Sequence, residues 1–320
     1  MCSGLLLPVG TARAQEVGEY GFLQLPVSTH AAALGGTAVS VVDPDAALAD
    51  QNPALLCPEM VGQVHLSYLH YVSDIHLGYA SGTGKLRDVG AWQAGVRYLS
   101  YGDFEGYDED GVSTGSFTAK DIALQGGVGY PVNDRLRLGL AARAIISKYE
   151  SYSAFALGID VGLNYYNEYT GRSLSAVVTN LGGQLKSLYD GRRAKLPTQL
   201  SLGITKEVEH LPFCFTLTAI DLFDWDQDYR DGDGDLHRYK TEEQILNHLL
   251  WGAEWIASDH FYLAAAYSYR RQREYSGTGG FLRGLSFGGG LSWDPLSVGV
   301  SYASYNAVDA SLSFQLSYKF

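Results

Sequence analysis

The chain has 320 residues, including 38 glycines and 23 tyrosines, and only 18% of its residues are charged, which favours many short strands over packed helices. Its formal net charge of −12 argues against nucleic acid as a partner. No apolar run approaches the 18 or more residues that a membrane-spanning helix needs.

The first 14 residues carry the features of an export signal. Leu5–Leu7 are followed by Ala12-Arg13-Ala14, an A-x-A pattern that predicts cleavage before Gln15. We therefore expect residues 1–14 to be a signal peptide.

Residues 15–60 are rich in small residues and lack the alternation seen later in the chain. Asp43 can cap a short helix that has Pro44 at its first position and ends before Pro53. A barrel of fourteen strands, which the following residues predict, has a lumen wider than its own side chains fill. Residues 15–60 are therefore predicted to form a plug inside it.

From residue 61 to residue 320, apolar and polar residues alternate in segments separated by turn residues, the pattern of β-strands. In the last segment, Leu312, Phe314 and Leu316 share one face with the terminal Phe320. The fold class predicted is all-β, a 14-stranded antiparallel transmembrane β-barrel in the outer membrane of a Gram-negative bacterium. Its strands are expected at 62–71, 75–81, 90–101, 116–131, 135–148, 154–168, 173–182, 199–208, 212–222, 248–257, 261–271, 283–293, 295–304 and 309–320.

The connections between these segments alternate in length, as expected of a barrel with short periplasmic turns and longer surface loops. Inside the barrel, Arg137 or Arg143 is expected to meet Asp160 of the next strand in a water-filled lumen. The tight turns fall near 132–134, 169–172, 209–211, 258–260 and 294–295, and the longer connectors near 102–115, 183–198, 223–247 and 272–282.

Two cysteines remain after removal of the signal peptide. Cys57 belongs to the predicted plug, and Cys214 should face the lumen because Phe213 and Phe215 on either side of it should face lipid. A disulfide between them is permitted in the periplasm. Two unpaired thiols are the favoured prediction, since two cysteines make no disulfide framework.

An acidic stretch within 223–247 partly matches a calcium-binding loop. Asp231, Asp233, Asp235 and Glu242 occupy its first, third, fifth and twelfth positions, but Leu236 stands where the EF-hand loop needs glycine. A solvated acidic loop is therefore favoured. A surface-loop calcium site and divalent ions held by lipopolysaccharide are the alternatives.

The longer connectors also carry candidates for partner binding, because they mix aromatic and acidic side chains. Thr241–Gln244 followed by Ile245 predicts a short helix in the second of them. No catalytic constellation is found around the eight histidines or the cysteines, so neither an enzyme nor a cofactor is predicted. The partner-binding candidates are Asp103, Phe104, Glu105, Tyr107 and Asp108 in the first connector and Asp226, Asp228 and Tyr229 in the second.

Asn52-Pro53-Ala54, ahead of fourteen strands, resembles the amino-terminal hatch of FadL-like outer-membrane barrels. Longer stretches resemble the PorQ family of type IX secretion outer-membrane proteins, namely YGFLQLPVSTHAAALGG (20–36), DPDAALADQNPALL (43–56) and LPTQLSLGITKEVEHLPFCFTLT (196–218). The resemblance implies a barrel of the cell-surface attachment complex. Its implied partners are PorZ, with PorU and PorV in the same complex, which handle cargo destined for anionic lipopolysaccharide.

The sequence supports two candidate functions. The leading hypothesis is a non-enzymatic membrane anchor and scaffold that holds surface partners through its loops. The alternative is a FadL-like transporter of a hydrophobic small molecule, which requires a lipophilic pocket at the plug and an opening in the wall. The polar lumenal faces of the strands argue mildly against an apolar channel, and the loop alternation argues against a soluble β enzyme or lectin.

Overall fold

The computed structural model describes residues 20–87, 90–107, 112–187, 191, 193–225, 228–230, 236–274, 282–305 and 310–320. In this part of the chain, fourteen strands close into one antiparallel barrel, and two short strands form a separate hairpin. The barrel strands are β1 (Gln63–Val72), β2 (Ile75–Leu86), β3 (Gly90–Tyr107), β4 (Ser113–Pro131), β5 (Leu136–Tyr149), β6 (Tyr152–Asn167), β7 (Arg172–Lys186), β8 (Gln199–Glu207), β9 (Phe213–Ala219), β12 (Leu249–Ser258), β13 (Phe261–Ser268), β14 (Leu285–Trp293), β15 (Leu296–Ala303) and β16 (Ser311–Lys319).

The barrel closes because β1 pairs with β2 on one side and with β16 on the other. Gln63 lies opposite Lys319, so both ends of the wall meet at the same rim. β9 pairs directly with β12 across the intervening hairpin β10 (Asp228–Arg230) and β11 (Leu236–Arg238). The prediction of a 14-stranded antiparallel barrel is confirmed.

The alternation in the sequence becomes a division between the two faces of the wall. Polar side chains such as Gln93, Arg143 and Thr216 are buried inside. Apolar side chains on the other face have no protein cover, which is the arrangement of a barrel surrounded by lipid. The protein is therefore an outer-membrane β-barrel of the Gram-negative type, and its lipid-facing side chains include Val64, Leu66, Leu124, Leu138, Leu140, Leu157, Ile159, Ile204 and Phe314.

Most connections at the rim that holds both ends of the wall are short, and this rim is the periplasmic one. At the other rim the prediction of long loops holds only in part. The β1–β2 and β5–β6 connections there are tight turns, in which Ser73 and Glu150 take positive φ angles of 49° and 53°. In each of these two connections, a residue in the left-handed conformation closes the turn within a few residues.

Residues 20–57 are mostly buried against the inner face of the strands, and residues 20–62 consist of short helical turns rather than strands. They include α1 (Thr29–Ala33), whose amino terminus is capped by Ser28, and the 3-10 turns Ala46–Asp50 and Pro53–Leu55. Among the described residues, no helix is long and apolar enough to cross a bilayer. The predicted signal peptide at 1–14 lies outside the described residues.

The helix signal at Asp43 needs correction. Asp45, not Asp43, caps the 3-10 turn, and its Oδ1 accepts from the Ala47 N–H at 3.0 Å. Asp43 instead accepts from the Asp45 N–H at 2.9 Å. Residues 43–45 therefore form an Asx turn in place of the predicted first turn of a helix.

The first predicted surface connector also needs correction, because β3 and β4 extend through most of it. Asp103, Phe104 and Glu105 lie in β3, and Tyr107 is its last residue. Phe104 stacks on Phe117 of β4 with ring centroids 5.5 Å apart, and such cross-strand pairs stabilise a hairpin. Asp103 and Glu105 on either side of Phe104 made this stretch look like a loop in the sequence. Asp108 lies outside the described residues.

In the second connector, the predicted short helix is confirmed as α2 (Thr241–Asn247). The backbone of Asp228 and Tyr229 forms β10, which the sequence did not predict. Glu242 lies in the first turn of α2 and is exposed. Asp226 and the other calcium-site candidates, Asp231, Asp233 and Asp235, lie outside the described residues, so the calcium site stays a prediction.

Candidate functional site

The interior of the barrel is crossed by a buried chain of ion pairs that links residues 20–62 to the wall. Arg97 of β3 contacts Asp50 through Nη2, and Arg143 of β5 approaches the same carboxylate at 3.5 Å. Arg143 Nε also donates to Asp160 of β6 at 2.8 Å. Two arginines thus meet two aspartates, and this balance is what makes burying four charges tolerable.

The predicted pairing of Arg143 with Asp160 is confirmed, but its surroundings are not a water-filled lumen. Arg143 is only 3% exposed and Asp160 is fully buried, because residues 20–62 cover them. Arg97 Nη1 also donates to the carbonyl oxygens of Phe22 and Leu23 at 3.0 and 3.1 Å. One wall arginine therefore holds both the Asp50 turn and the start of the described chain.

Asn52, Pro53 and Ala54 form a turn packed against the wall. The Asn52 side chain accepts from the Ala54 N–H at 3.0 Å and donates to the Val39 carbonyl at 2.7 Å. The turn lies against Gly139 of β5 and Gly162 of β6, where an added Cβ would overlap its atoms. Two wall glycines therefore make room for it.

A further buried polar contact joins α1 to another part of the barrel wall, where His30 Nε2 lies 3.0 Å from Glu254 of β12. Cys214 lines a small cavity beside this pair and Cys57 packs near Met60. Both cysteines are buried free thiols, as the sequence favoured. Among the described residues, neither cysteine thiol is therefore exposed at the surface.

A cavity of about 260 Å³ opens where residues 20–62 meet the extracellular ends of the strands. Ile75 and Leu250 lie at the extracellular ends of β2 and β12, Leu99 lies midway along β3, and Phe22 and Leu25 come from the amino-terminal segment. Apolar side chains thus form its floor and one wall.

The other wall of this pocket is cationic and comes from α3 (Tyr269–Glu274), directly after β13. Arg270 donates to Asp221 at 2.8 Å and to Glu274 at 2.9 Å. Burial lowers the pKa of Arg270, but the carboxylates of Glu274 and Asp221 raise it and prevail. The positive charge of Arg270 is therefore compensated by two carboxylates of the protein itself.

Arg271, the next residue, keeps its charge available. Its Nη2 donates to the Gly35 carbonyl at 2.7 Å, and its guanidinium lies 4.5 Å from the centre of the Tyr305 ring. Its Nη1 is buried without a hydrogen-bond partner in the described part of the chain. No carboxylate of the described residues lies within ion-pair distance of Arg271, so its guanidinium is the candidate counter-charge for an anion in this pocket.

The sequence did not single out Arg271, because the segment 261–271 was predicted as a continuous strand. In the structure β13 ends at Ser268, and the helix that follows turns Arg270 and Arg271 into the mouth of the barrel. The run Arg270-Arg271 within an otherwise weakly charged strand was the available signal. The partner-binding candidates Asp103, Phe104 and Glu105 do not line this pocket.

The three-dimensional fold is similar to solved outer-membrane barrels. A TodX monoaromatic hydrocarbon channel mutant matches with a TM-score of 0.53 at 14% identity, over 91% of this chain and 96% of that chain. A Pseudomonas aeruginosa FadL homologue matches with a TM-score of 0.53 at 11% identity, over 92% and 98%. No protein-family model matches the sequence, and no curated protein matches it in sequence. At these identities the likeness establishes a FadL-type barrel fold.

Proposed function

We propose that this protein is a non-enzymatic barrel that takes up a hydrophobic small molecule with an anionic group, which it first binds in the pocket at its extracellular mouth. The observation that carries the proposal is that Arg271, which has no carboxylate within ion-pair distance among the described residues, lines a largely apolar cavity. Pockets with an apolar lining and a few polar groups are typical of small-molecule sites.

The shape of the pocket supports a ligand with two chemically different ends. The partly exposed Leu25 and Ile75 offer contacts to a hydrocarbon portion, while Arg271 offers a charged donor to a carboxylate or a similar anion. A neutral hydrocarbon would leave the charge of Arg271 without a counter-charge. The solved neighbours include a protein described as a monoaromatic hydrocarbon channel, which supports the hydrophobic part of the ligand class.

Replacing Arg271 with glutamine is expected to weaken binding of dodecanoate by about tenfold or more, because a charge-assisted hydrogen bond contributes roughly 1.5–3 kcal/mol. Binding of dodecanol should change little. The measurement is equilibrium binding to purified protein in nanodiscs by displacement of a fluorescent fatty-acid probe.

Arg273→Gln is the matched control, because Arg273 lies on the same helix, is 47% exposed and pairs with Glu243 outside the pocket. It should leave both affinities unchanged. Equal affinities of the Arg271 variant and the native protein for dodecanoate would contradict the proposal.

The scaffold function is a second candidate, favoured by the β3–β4 hairpin. Beyond the last partners of β3 with β2 and of β4 with β5, this hairpin continues to the pair Tyr107 and Ser113. Phe104 is 42% exposed on this ribbon, beside Asp103 and Glu105. A projecting ribbon with exposed aromatic and acidic side chains suits contact with a surface protein.

Under this second proposal, the barrel anchors the type IX attachment complex and holds PorZ, with PorU and PorV nearby, against anionic lipopolysaccharide. The support is the resemblance of the sequence stretches together with the ribbon. Deleting residues 104–112 should remove the co-purifying surface proteins from a tagged barrel. An unchanged set of partners would count against the scaffold.

A further inference from the structure

Two cations lie side by side on the lipid-facing surface at the periplasmic rim. Arg172 begins β7 and is directly opposite Lys206, the last but one residue of β8. Like charges opposite one another on a sheet are destabilising. In the described part of the chain, no carboxylate lies within ion-pair distance of either residue. This pair therefore lacks a protein counter-charge.

The neighbouring turn places these cations at the level of the lipid headgroups. The Lys206 ammonium donates to the carbonyl oxygen of Thr170 in the β6–β7 turn. Tyr169 in the same turn is 90% exposed, and aromatic side chains collect at membrane interfaces. Arg172 and Lys206 therefore face the headgroups of the periplasmic leaflet.

A hollow in the outer surface begins at Lys206. It has a volume of about 540 Å³, and its centre is formed by Ala253 of β12 and Ala265 of β13, which lie opposite each other. Phe215 and Trp251 border the two alanines. Small side chains between large aromatic ones thus leave a trough within the hydrocarbon layer.

The pairing register shows that cations and trough are continuous. Lys206 pairs with Phe215, Phe215 with Ala253, and Ala253 with Ala265. Three strand spacings of about 4.8 Å place Ala265 roughly 14 Å from Lys206 along this row. Lys206 lies at the end of β8, whereas Ala265 lies in the middle of β13, so the row climbs from the rim into the membrane.

We propose that this face of the barrel binds one anionic phospholipid of the periplasmic leaflet. Its phosphate lies between Arg172 and Lys206, and one acyl chain follows the trough over Ala253 and Ala265. The phosphate supplies the counter-charge that the two cations lack. The acyl chain fills the hollow and makes van der Waals contacts with its floor that neighbouring bulk lipids would not make. This site is on the outer wall and is independent of the pocket that carries the proposed function.

The chain contains a natural comparison for the trough. A second hollow of about 510 Å³ lies on the lipid-facing surface around Gly78 and Ala80 of β2, bordered by Tyr68, Tyr98 and Phe314. No basic residue lines it. Comparing lipid retention at the two hollows tests whether an apolar hollow alone is enough to hold a lipid.

The test uses the full barrel in nanodiscs of dioleoyl phosphatidylglycerol and dioleoyl phosphatidylcholine in equal amounts, with retained lipid identified by native mass spectrometry after gentle release. The native protein should keep one phosphatidylglycerol with a preference of about tenfold, since two cations attract an anionic lipid. Arg172→Gln with Lys206→Gln should abolish this preference. Ala265→Leu should reduce retention of the lipid, and Ala80→Leu should not.

Heat-modifiable migration in gel electrophoresis identifies variants that still form the barrel, and both alanines face lipid, where leucine is accommodated. A preference for phosphatidylglycerol that survives loss of both cations would overturn the proposal. Equal losses in Ala265→Leu and Ala80→Leu would overturn it as well. Retention of lipopolysaccharide in place of phospholipid, or a dimer that disappears with Ala265→Leu, would assign the face to another occupant and also overturn it.

Discussion

Replacing Gly139 with valine is expected to expel the Asn52–Ala54 turn from the barrel wall. A Cβ at Gly139 would overlap the Ala54 amide nitrogen and the Pro53 carbonyl, which are backbone atoms and cannot rotate away. The turn also cannot shift without losing the Asn52 hydrogen bond to Val39. We expect a loss of about 3 kcal/mol or more in unfolding free energy, at the upper end for overpacking.

Two measurements check this result in detergent, urea unfolding followed by tryptophan fluorescence and limited proteolysis of residues 20–62. Gly126→Val is the control, since nothing lies within 4 Å of a Cβ added at Gly126 on β4. It should leave stability and protease resistance unchanged. If residues 20–62 of the Gly139 variant resist protease as well as those of the control, the turn does not depend on the wall glycine.

Asp50→Asn is expected to have the largest effect of any single substitution in the interior. It leaves Arg97 and Arg143, each 3% exposed, with only Asp160 as a counter-charge. Removing one partner of a buried ion pair costs about 3–5 kcal/mol. Because Arg97 also holds the Phe22 and Leu23 carbonyls, the amino-terminal segment should loosen along with the turn.

Ionic conductance in planar bilayers should therefore rise in Asp50→Asn, and the urea midpoint should fall. Asp50→Asn combined with Arg97→Met should recover part of the stability, because the uncompensated charge is removed, although the donors to the Phe22 and Leu23 carbonyls are lost with it. Asp221→Asn, which breaks a partly exposed pair with Arg270, should cost about 1 kcal/mol or less. Similar losses in the Asp50 and Asp221 variants would show that the buried chain is not what holds the segment.

Much of the wall could be predicted from local sequence. Leu138 and Leu140 alternate with Arg137 and Arg143, and a period of two is sufficient to assign the faces of a strand. In the observed register of β5 and β6, Arg143 pairs with Gly158 and lies diagonally next to Asp160, close enough for the two side chains to meet.

The interior and the pocket could not be predicted in the same way, because their contacts join distant parts of the chain. Asp50 meets Arg97 across 47 residues, and Arg271 meets Gly35 across 236 residues. Neither partner is marked by spacing or periodicity. The end of β13 at Ser268 also depends on these contacts, since the sequence up to residue 271 still alternates as a strand would.

A hydrophobic anion is expected to bind between the amino-terminal segment and the extracellular strand ends. Photolabelling tests it most directly, with a dodecanoate that carries a diazirine at its tail, followed by peptide mass spectrometry. Binding in the pocket predicts adducts on the partly exposed pocket residues Leu25, Tyr71 or Ile75 that are lost in excess dodecanoate and in Arg271→Gln. Adducts confined to the lipid-facing wall, and unaffected by excess dodecanoate, would contradict it.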